Sequence, residues 1–412
     1  MRRKRVTLLR SPRNGISPEK VRALSRCKLS INALLLLFCF LIIQPLGRAQ
    51  DAVPQGNTAD SNVPQVSERT RAFLTHSWDE ATFREGLAII QDQNETDASR
   101  GLALEVLHSR RLKMPAEERK QLLEESTTMA KSGTEPALLS AQAIRVMSSM
   151  ALTMEELGEA SDLEAKRESA FLLDAAQDQH RDIQVRASAV RALGMLKVAG
   201  ASPVLRSLLS DKSNLNRPEI ARCTCLALQQ VDGASAVTPI KEILNTTQDA
   251  SIFGTAAFAL GQIKVAESMA ALVETDSRFA GSGSCDAVLV DMEDVILATL
   301  SNPNDPNLIP AISATRHLWR DGQRERYIPL LRTLITTAPL AARKAALERL
   351  IEAAGQLKFE AEKRELSAVL PAIDNQPQLD KYAQRIQERL SATLLTPSGP
   401  QAQVPSVKKG AN

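Results

Sequence analysis

One seven-residue segment recurs in the middle of the chain and constrains its fold more than any other feature. Residues 193–199 read LGMLKVA, and 67 positions later residues 260–266 read LGQIKVA. A degenerate copy, LQQV, begins at Leu228, 35 residues after the start of the first copy and 32 before the third. A repeat spacing in the thirties is the sequence signature of a helical solenoid, whose stacked units cover one another's apolar faces.

Each copy also has the apolar spacing of an α-helix. In the first copy the apolar residues follow one another at spacings of 4, 3, 1 and 3, which is one stripe of a helix: Val185, Ala189, Ala192, Leu193 and Leu196. Asp182 and Asp249 precede the first and third stripes by three residues, where a side-chain oxygen can cap the start of a helix. A second, shorter apolar stretch follows each copy, so the pattern predicts helix pairs.

The first copy resembles a HEAT repeat of the type found in bacteria. The family pattern has an Asp, then Val-Arg, then Ala and Leu-Gly, which here are Asp182, Val185-Arg186, Ala192 and Leu193-Gly194. The resemblance implies an all-α fold, a right-handed α-solenoid of stacked antiparallel helix pairs, with a curved surface that binds partners. The other two copies have Ala221 and Phe253 in the place of the arginine. We therefore expect no arginine ladder between repeats beyond Arg186.

The first 49 residues have the composition of a signal peptide. A basic segment is followed by residues 31–43, which are apolar except for Asn32. Such a run fits a signal-peptide core and is too short to span a bilayer. Small residues at Gly47 and Ala49 predict cleavage before Gln50, and hence an extracytoplasmic protein, periplasmic or secreted. The alternative is an uncleaved leader that anchors the protein in the membrane.

The rest of the chain divides by composition into three parts. Residues 50–66 lack periodicity and predict a disordered linker, residues 67–396 carry the helical repeat array, and residues 397–412 predict a disordered tail. The clearest repeats are residues 182–272, and the whole array predicts seven or eight helix pairs. A Gly-Ser segment, residues 281–284, marks a flexible insertion in this array.

The charge balance argues against nucleic acid as a partner. The net charge of the whole chain is +3, but the basic leader carries 11 Lys and Arg against one acid. Without the leader the balance is −7, and binding to nucleic acid depends on neutralising phosphates. We expect contact with a membrane only through an uncleaved leader.

We find no sequence motif for catalysis, for a metal or for a cofactor. The four histidines are scattered along the chain, whereas zinc sites need about four grouped ligands. Beyond the leader only three cysteines occur, and Cys285, beside the insertion, is the candidate for a free, reactive thiol. Arg110-Arg111, Arg316-His317 and Arg320 could form a small cationic surface for an acidic ligand, although ordinary solvated helix faces explain these residues more simply.

These observations favour a non-enzymatic scaffold that binds a protein partner on its helical surface. The candidate binding residues are Arg316, Trp319, Arg320 and Tyr327, because aromatic and arginine side chains are common interface anchors. Positions in the helical core would explain Trp319 and Tyr327 equally well. The alternative is a HEAT-like lyase acting on tetrapyrrole chromophores, or a repeat protein that binds another small molecule. That alternative depends on family resemblance alone, and fold does not determine function.

Overall fold

The computed structural model describes residues 66–76, 78–159, 162–276, 284–355, 359–374 and 376–394. The predicted signal peptide, nearly all of the predicted linker and the predicted tail lie outside the described residues, as does most of the predicted Gly-Ser insertion. Among the described residues there is no β-strand.

The described residues form α-helices joined by short turns. In chain order the helices are α1 Glu68–Thr75, α2 Glu80–Gln91, α3 Asp97–Ser109, α4 Ala116–Lys131, α5 Ala137–Glu156, α6 Asp162–Gln177, α7 Ile183–Met195, α8 Ala201–Ser210, α9 Lys212–Leu215, α10 Pro218–Asp232, α11 Val237–Thr246, α12 Ala250–Ile263, α13 Ala266–Thr275, α14 Ser284–Asp291, α15 Glu293–Leu300, α16 Leu308–Ala314, α17 Asp321–Thr337, α18 Leu340–Ala354, α19 Phe359–Ile373 and α20 Asp380–Leu394. Short 3₁₀ turns occupy Arg111–Lys113, Gly233–Ala236 and Thr315–His317.

The helices stack in two rows. The first row contains α1, α3, α5, α7, α10, α12, α14 with α15, α17 and α19, and the second contains α2, α4, α6, α8, α11, α13, α16, α18 and α20. Contacts run between neighbours within a row, such as α5 with α7 and α7 with α10, and between the two helices of a pair. The predicted fold class, an all-α solenoid of stacked antiparallel helix pairs, is confirmed. Nine pairs lie in the described residues, where the sequence predicted seven or eight, because three pairs precede the clear repeats.

The predicted caps and the Leu-Gly positions both have structural roles. Asp182 accepts a hydrogen bond from the Gln184 amide at 2.7 Å, and Asp249 accepts from the amides of Ser251 and Ile252. Gly194 lies inside α7, where an added Cβ would overlap the Cα of Ala227 in α10. The glycine is therefore needed for the close approach of successive first-row helices rather than for ending a helix.

An arginine four residues after the N-cap connects successive helices. It occurs in more helices than the sequence pattern predicted. In the first row, Arg100 Nε donates to the Ile90 carbonyl at the end of α2 at 2.8 Å, and its two terminal nitrogens bind both oxygens of Glu135, just before α5. Arg186 repeats the arrangement, with bonds to the Ala176 carbonyl and to Asn214.

In the second row, arginines at the same position after the N-cap make the same kinds of contact. Arg119 bonds the Met114 carbonyl and Glu159, and Arg343 bonds the Ile335 carbonyl and Gln376. The second and third copies lack this arginine, as the sequence indicated, but the contact recurs outside the three copies, at Arg100, Arg119 and Arg343. The last carbonyls of a helix lack partners within the helix and attract cations, which explains why an arginine recurs there.

Helix α5 is the one described helix long and apolar enough to cross a membrane by length and composition. In the structure 61% of its apolar window is buried, mainly against α3, α4 and α7. Its apolar composition follows from its position between α3 and α7 in the first row, where neighbouring helices cover it on several sides.

Candidate functional site

The candidate site lies where α13, α14 and the 3₁₀ turn after α16 meet. We call it the edge cluster, and it consists of Asp276, Asp286, Arg316, His317, Trp319 and Arg320. Asp276 directly follows α13, Asp286 lies in the first turn of α14, and the other four lie between α16 and α17. The structure thus brings two carboxylates from an earlier segment against the predicted cationic segment.

A chain of polar contacts connects four of these residues. Arg316 forms an ion pair with Asp276, and its Nε lies 3.0 Å from Nε2 of His317. His317 Nδ1 lies 2.7 Å from Asp286 Oδ1. Because a guanidinium can only donate, Nε2 of His317 accepts, and we assign the ring proton to Nδ1, which donates to Asp286.

The environment of His317 favours its neutral form. Its side chain is 7% exposed, whereas that of Asp286 is 63% exposed. Burial lowers the pKa of His317 and outweighs the opposing effect of Asp276, while the adjacent Arg316 also lowers it. Two carboxylates, one guanidinium and a neutral imidazole leave this part of the edge cluster with one net negative charge, so it is not the cationic surface that the sequence predicted.

Trp319 and Arg320 form the exposed part of the edge cluster. Trp319 is 61% exposed, and the guanidinium carbon of Arg320 lies 5.8 Å from the centre of the indole ring, within the range of a cation–π contact. Arg320 forms no ion pair with any residue in the described ranges. The other tryptophan, Trp78, instead packs against the core. An exposed indole with an arginine beside it is the type of residue pair that is enriched in protein interfaces.

Tyr327, the fourth predicted binding residue, is not on the surface. It is fully buried in α17, and its hydroxyl accepts a hydrogen bond of 3.4 Å from Arg349. Arg349 in turn bonds the hydroxyl and carbonyl of Thr315 at the end of α16. Tyr327 therefore helps to join three helices and has no surface with which to contact a partner in this structure.

Cys285 is a free thiol, but it is not exposed. It is 3% exposed, and burial, with Asp276 and Asp286 close by, raises its pKa to about 12. A protonated, buried thiol is a poor nucleophile. The structure therefore corrects the expectation of a reactive thiol at this position.

A shallow groove lies in the second row, between α8 and α11. Its volume is about 250 Å³, and it is lined by Arg206, Leu209, Ser210, Thr238, Pro239, Glu242 and Ile243. Pockets for small molecules usually have volumes of ~300–1,000 Å³. Arg206 is already paired with Asp232, so this groove does not favour the small-molecule alternative.

Comparison with known proteins agrees with the repeat geometry. Residues 169–261, which include α7, α8, α10, α11 and most of α12, match the family described as HEAT repeats. Over these residues the chain is similar to HEAT-repeat proteins. The HEAT match covers the region where the Leu-Gly segments recur, and the edge cluster lies beyond it, in the pairs that follow.

The chain is similar to a solved structure of human deoxyhypusine hydroxylase in complex with glycerol, with 19% identity and a TM-score of 0.28. The similarity covers 76% of this chain and 98% of that one. No curated protein matches the chain.

Proposed function

We propose that this HEAT-repeat protein is an exported, non-enzymatic scaffold that binds a protein partner through Trp319 and Arg320. The exposure of Trp319 is the observation that carries the proposal. Burying one exposed tryptophan removes a large apolar area from water at little conformational cost, which is why tryptophan dominates many interfaces.

The surroundings of Trp319 indicate the chemistry of the partner. The indole offers an apolar face, and Arg320 offers a guanidinium whose described contact is that ring alone. A partner that presents an apolar pocket beside a carboxylate would complement both groups. Arg316, which is 47% exposed and paired with Asp276, lies at the margin of this surface.

Export is supported by the leader sequence. The basic segment, the apolar run and the small residues at Gly47 and Ala49 are the three features that signal peptidase substrates share. Mass spectrometry of the protein from the envelope and the medium tests this part. We expect a mature chain that begins at Gln50, whereas a full-length chain in the membrane fraction would support the uncleaved anchor.

Crosslinking at residue 319 tests the partner surface. A photoreactive amino acid replaces Trp319 in intact cells, and a second strain carries it at Leu112, which is 67% exposed and lies in the turn after α3. We expect one protein to be crosslinked from position 319 and not from position 112. Equal crosslinking from both positions, or none from position 319, would contradict the proposed surface.

Binding measurements with the crosslinked partner then give the contribution of Trp319 to the free energy of binding. Trp319→Ala should weaken binding by at least 2 kcal/mol, the usual threshold for a hot spot, which is roughly thirtyfold in Kd. The control Leu112→Ala removes an equally exposed apolar side chain elsewhere and should leave Kd unchanged. Both variants should retain the thermal stability of the unmodified protein, since both side chains are mostly in solvent.

A further inference from the structure

The edge cluster contains three residues of the types that bind metal ions. Asp276, Asp286 and His317 each place one ligand atom within 4.8 Å of the ligand atoms of the other two. They come from the end of α13, the start of α14 and the turn after α16, so they meet only because consecutive helix pairs stack. The sequence predicted no metal site because these residues are up to 41 positions apart.

We propose that Asp276, Asp286 and His317 form a binding site for a divalent transition-metal ion, with Zn²⁺ as the best fit. Zn²⁺ binds imidazole nitrogen and carboxylate oxygen at ~2.0–2.2 Å. Around a tetrahedral ion with such bonds two ligand atoms lie about 3.4 Å apart. Ligand atoms that are now up to 4.8 Å apart therefore need to close by at most about 1.4 Å, whereas His317 Nδ1 and Asp286 Oδ1, now 2.7 Å apart, need to separate slightly. Asp286, with its side chain 63% exposed, has the freedom to make that movement.

The donor set determines which ion fits. Two carboxylates and one imidazole suit Zn²⁺ and, with more added water, Mn²⁺ or Fe²⁺, whereas Mg²⁺ and Ca²⁺ prefer oxygen ligands alone. Three protein ligands leave a fourth position of a tetrahedral zinc ion open to water or to a partner's side chain. The proposal is independent of the Trp319 surface, since none of the three ligands belongs to it.

Arg316 is the side chain with which a bound metal ion would compete. It pairs with Asp276 and lies against a ring nitrogen of His317, so it contacts two of the three proposed ligands. Its side chain is 47% exposed and can turn into solvent. A bound metal ion would replace this internal cation, so Arg316 competes with the metal and sets a limit on its affinity.

Calorimetric titration of the purified, chelator-treated protein with ZnCl₂ tests the site. We expect one Zn²⁺ per chain with a micromolar or lower Kd. Asp286→Asn and His317→Gln should each weaken binding at least about tenfold, and Arg316→Gln, which removes the competing cation, should strengthen it. The control is His108→Gln. His108 lies 3.9 Å from Glu105, which makes a similar His–carboxylate pair without a second carboxylate among the described residues. Replacing His108 should not change Zn²⁺ binding.

Thermal unfolding provides a second readout that separates binding from folding. Added Zn²⁺ should raise the Tm of the unmodified protein and of His108→Gln, because a ligand that binds only the folded state stabilises it. It should not raise the Tm of Asp286→Asn, whose exposed side chain can change without disturbing the fold. Absence of a Zn²⁺ titration signal, or unchanged Zn²⁺ affinity in Asp286→Asn, would overturn the proposal.

Discussion

The guanidinium of Arg100 shows how one side chain can hold three helices together. Arg100 lies in α3. Its guanidinium donates to a carbonyl at the end of α2 and forms two hydrogen bonds with Glu135, just before α5. Arg100 and Glu135 are 4% and 8% exposed at their side chains, so the pair is largely withdrawn from water. A buried pair of this kind is costly to break, because the remaining partner stays charged and unpaired.

Replacing this arginine should destabilise the protein strongly. Arg100→Met keeps much of the side-chain volume but leaves Glu135 and the Ile90 carbonyl unpaired, and we expect a loss of about 3–5 kcal/mol in the free energy of unfolding. Urea denaturation measures this loss. The control is Arg84→Met, which removes an ion pair between Arg84 and Glu80, whose side chains are 75% and 70% exposed. An equally large loss of unfolding free energy in this control would show that losing the charge, and not burial of the pair, determines the destabilisation.

The same pair predicts how stability depends on pH. The hydrogen bonds from Arg100 lower the pKa of Glu135 in the folded state. A lowered folded pKa contributes stability that is present above the unfolded pKa and is lost as pH falls through the folded value. Between pH 6 and pH 3 the unmodified protein should therefore lose more stability than Arg100→Met does, as measured by urea denaturation at each pH. Parallel curves for the two proteins would contradict this assignment.

At the scale of the helix, close packing explains the repeated Leu-Gly segment. Gly194 in α7 faces Ala227 in α10, and Gly261 in α12 faces Val288 in α14. A Cβ at either position would enter space that the next first-row helix occupies. The glycine is therefore a requirement of stacking, which is why it recurs in the first and third copies. In the second copy Gln229 follows Leu228 instead.

Gly194→Ala tests this requirement. The new methyl group would meet backbone atoms of Ala227, which cannot move without shifting α10, so we expect a loss of roughly 1–3 kcal/mol. Gly322→Ala is the matched control, since Gly322 is also in a helix but has open space around it. The control should be neutral or stabilising by up to about 1 kcal/mol, because alanine favours helices over glycine. Differential scanning calorimetry of the two variants gives both values.

At the scale of the molecule, the repeat array is held together by contacts between neighbours. Each helix contacts its pair partner and the next helix of its row, as α17 does with α18 and α19. The stability of such an array is approximately a sum over units and their interfaces. The energetic effect of a change should therefore be largest within the pair where it occurs and in the adjacent pairs.

Removing the last pair tests that additivity. A chain ending at Gly355, which lacks α19 and α20, should keep the helical circular dichroism of the remaining pairs but unfold at a lower urea concentration, because α17 and α18 lose a neighbour. Arg349 and Tyr327, which join α16, α17 and α18, stay in place. Complete loss of helical signal would instead indicate a single globular core and contradict the nearest-neighbour description.

The sequence by itself determined the helical period, the pairing of helices and the caps at Asp182 and Asp249, because these depend on residues within one or two turns of each other. The apolar spacing of residues 340–354 predicts a helix, and α18 has the same bounds, Leu340–Ala354. Such features can be predicted from the sequence because all the residues that form them lie in one short segment.

Only the tertiary structure decided the arginine ladder, the burial of Tyr327 and the assembly of the edge cluster. Each depends on which helix stacks on which: Arg100 meets Glu135 across 35 residues, and Arg316 meets Asp276 across 40. Trp319 and Tyr327 are eight residues apart and chemically alike, yet one is exposed and the other is fully buried. The difference arises because α17 is covered by α15, α18 and α19, whereas Trp319 lies in the turn before that helix.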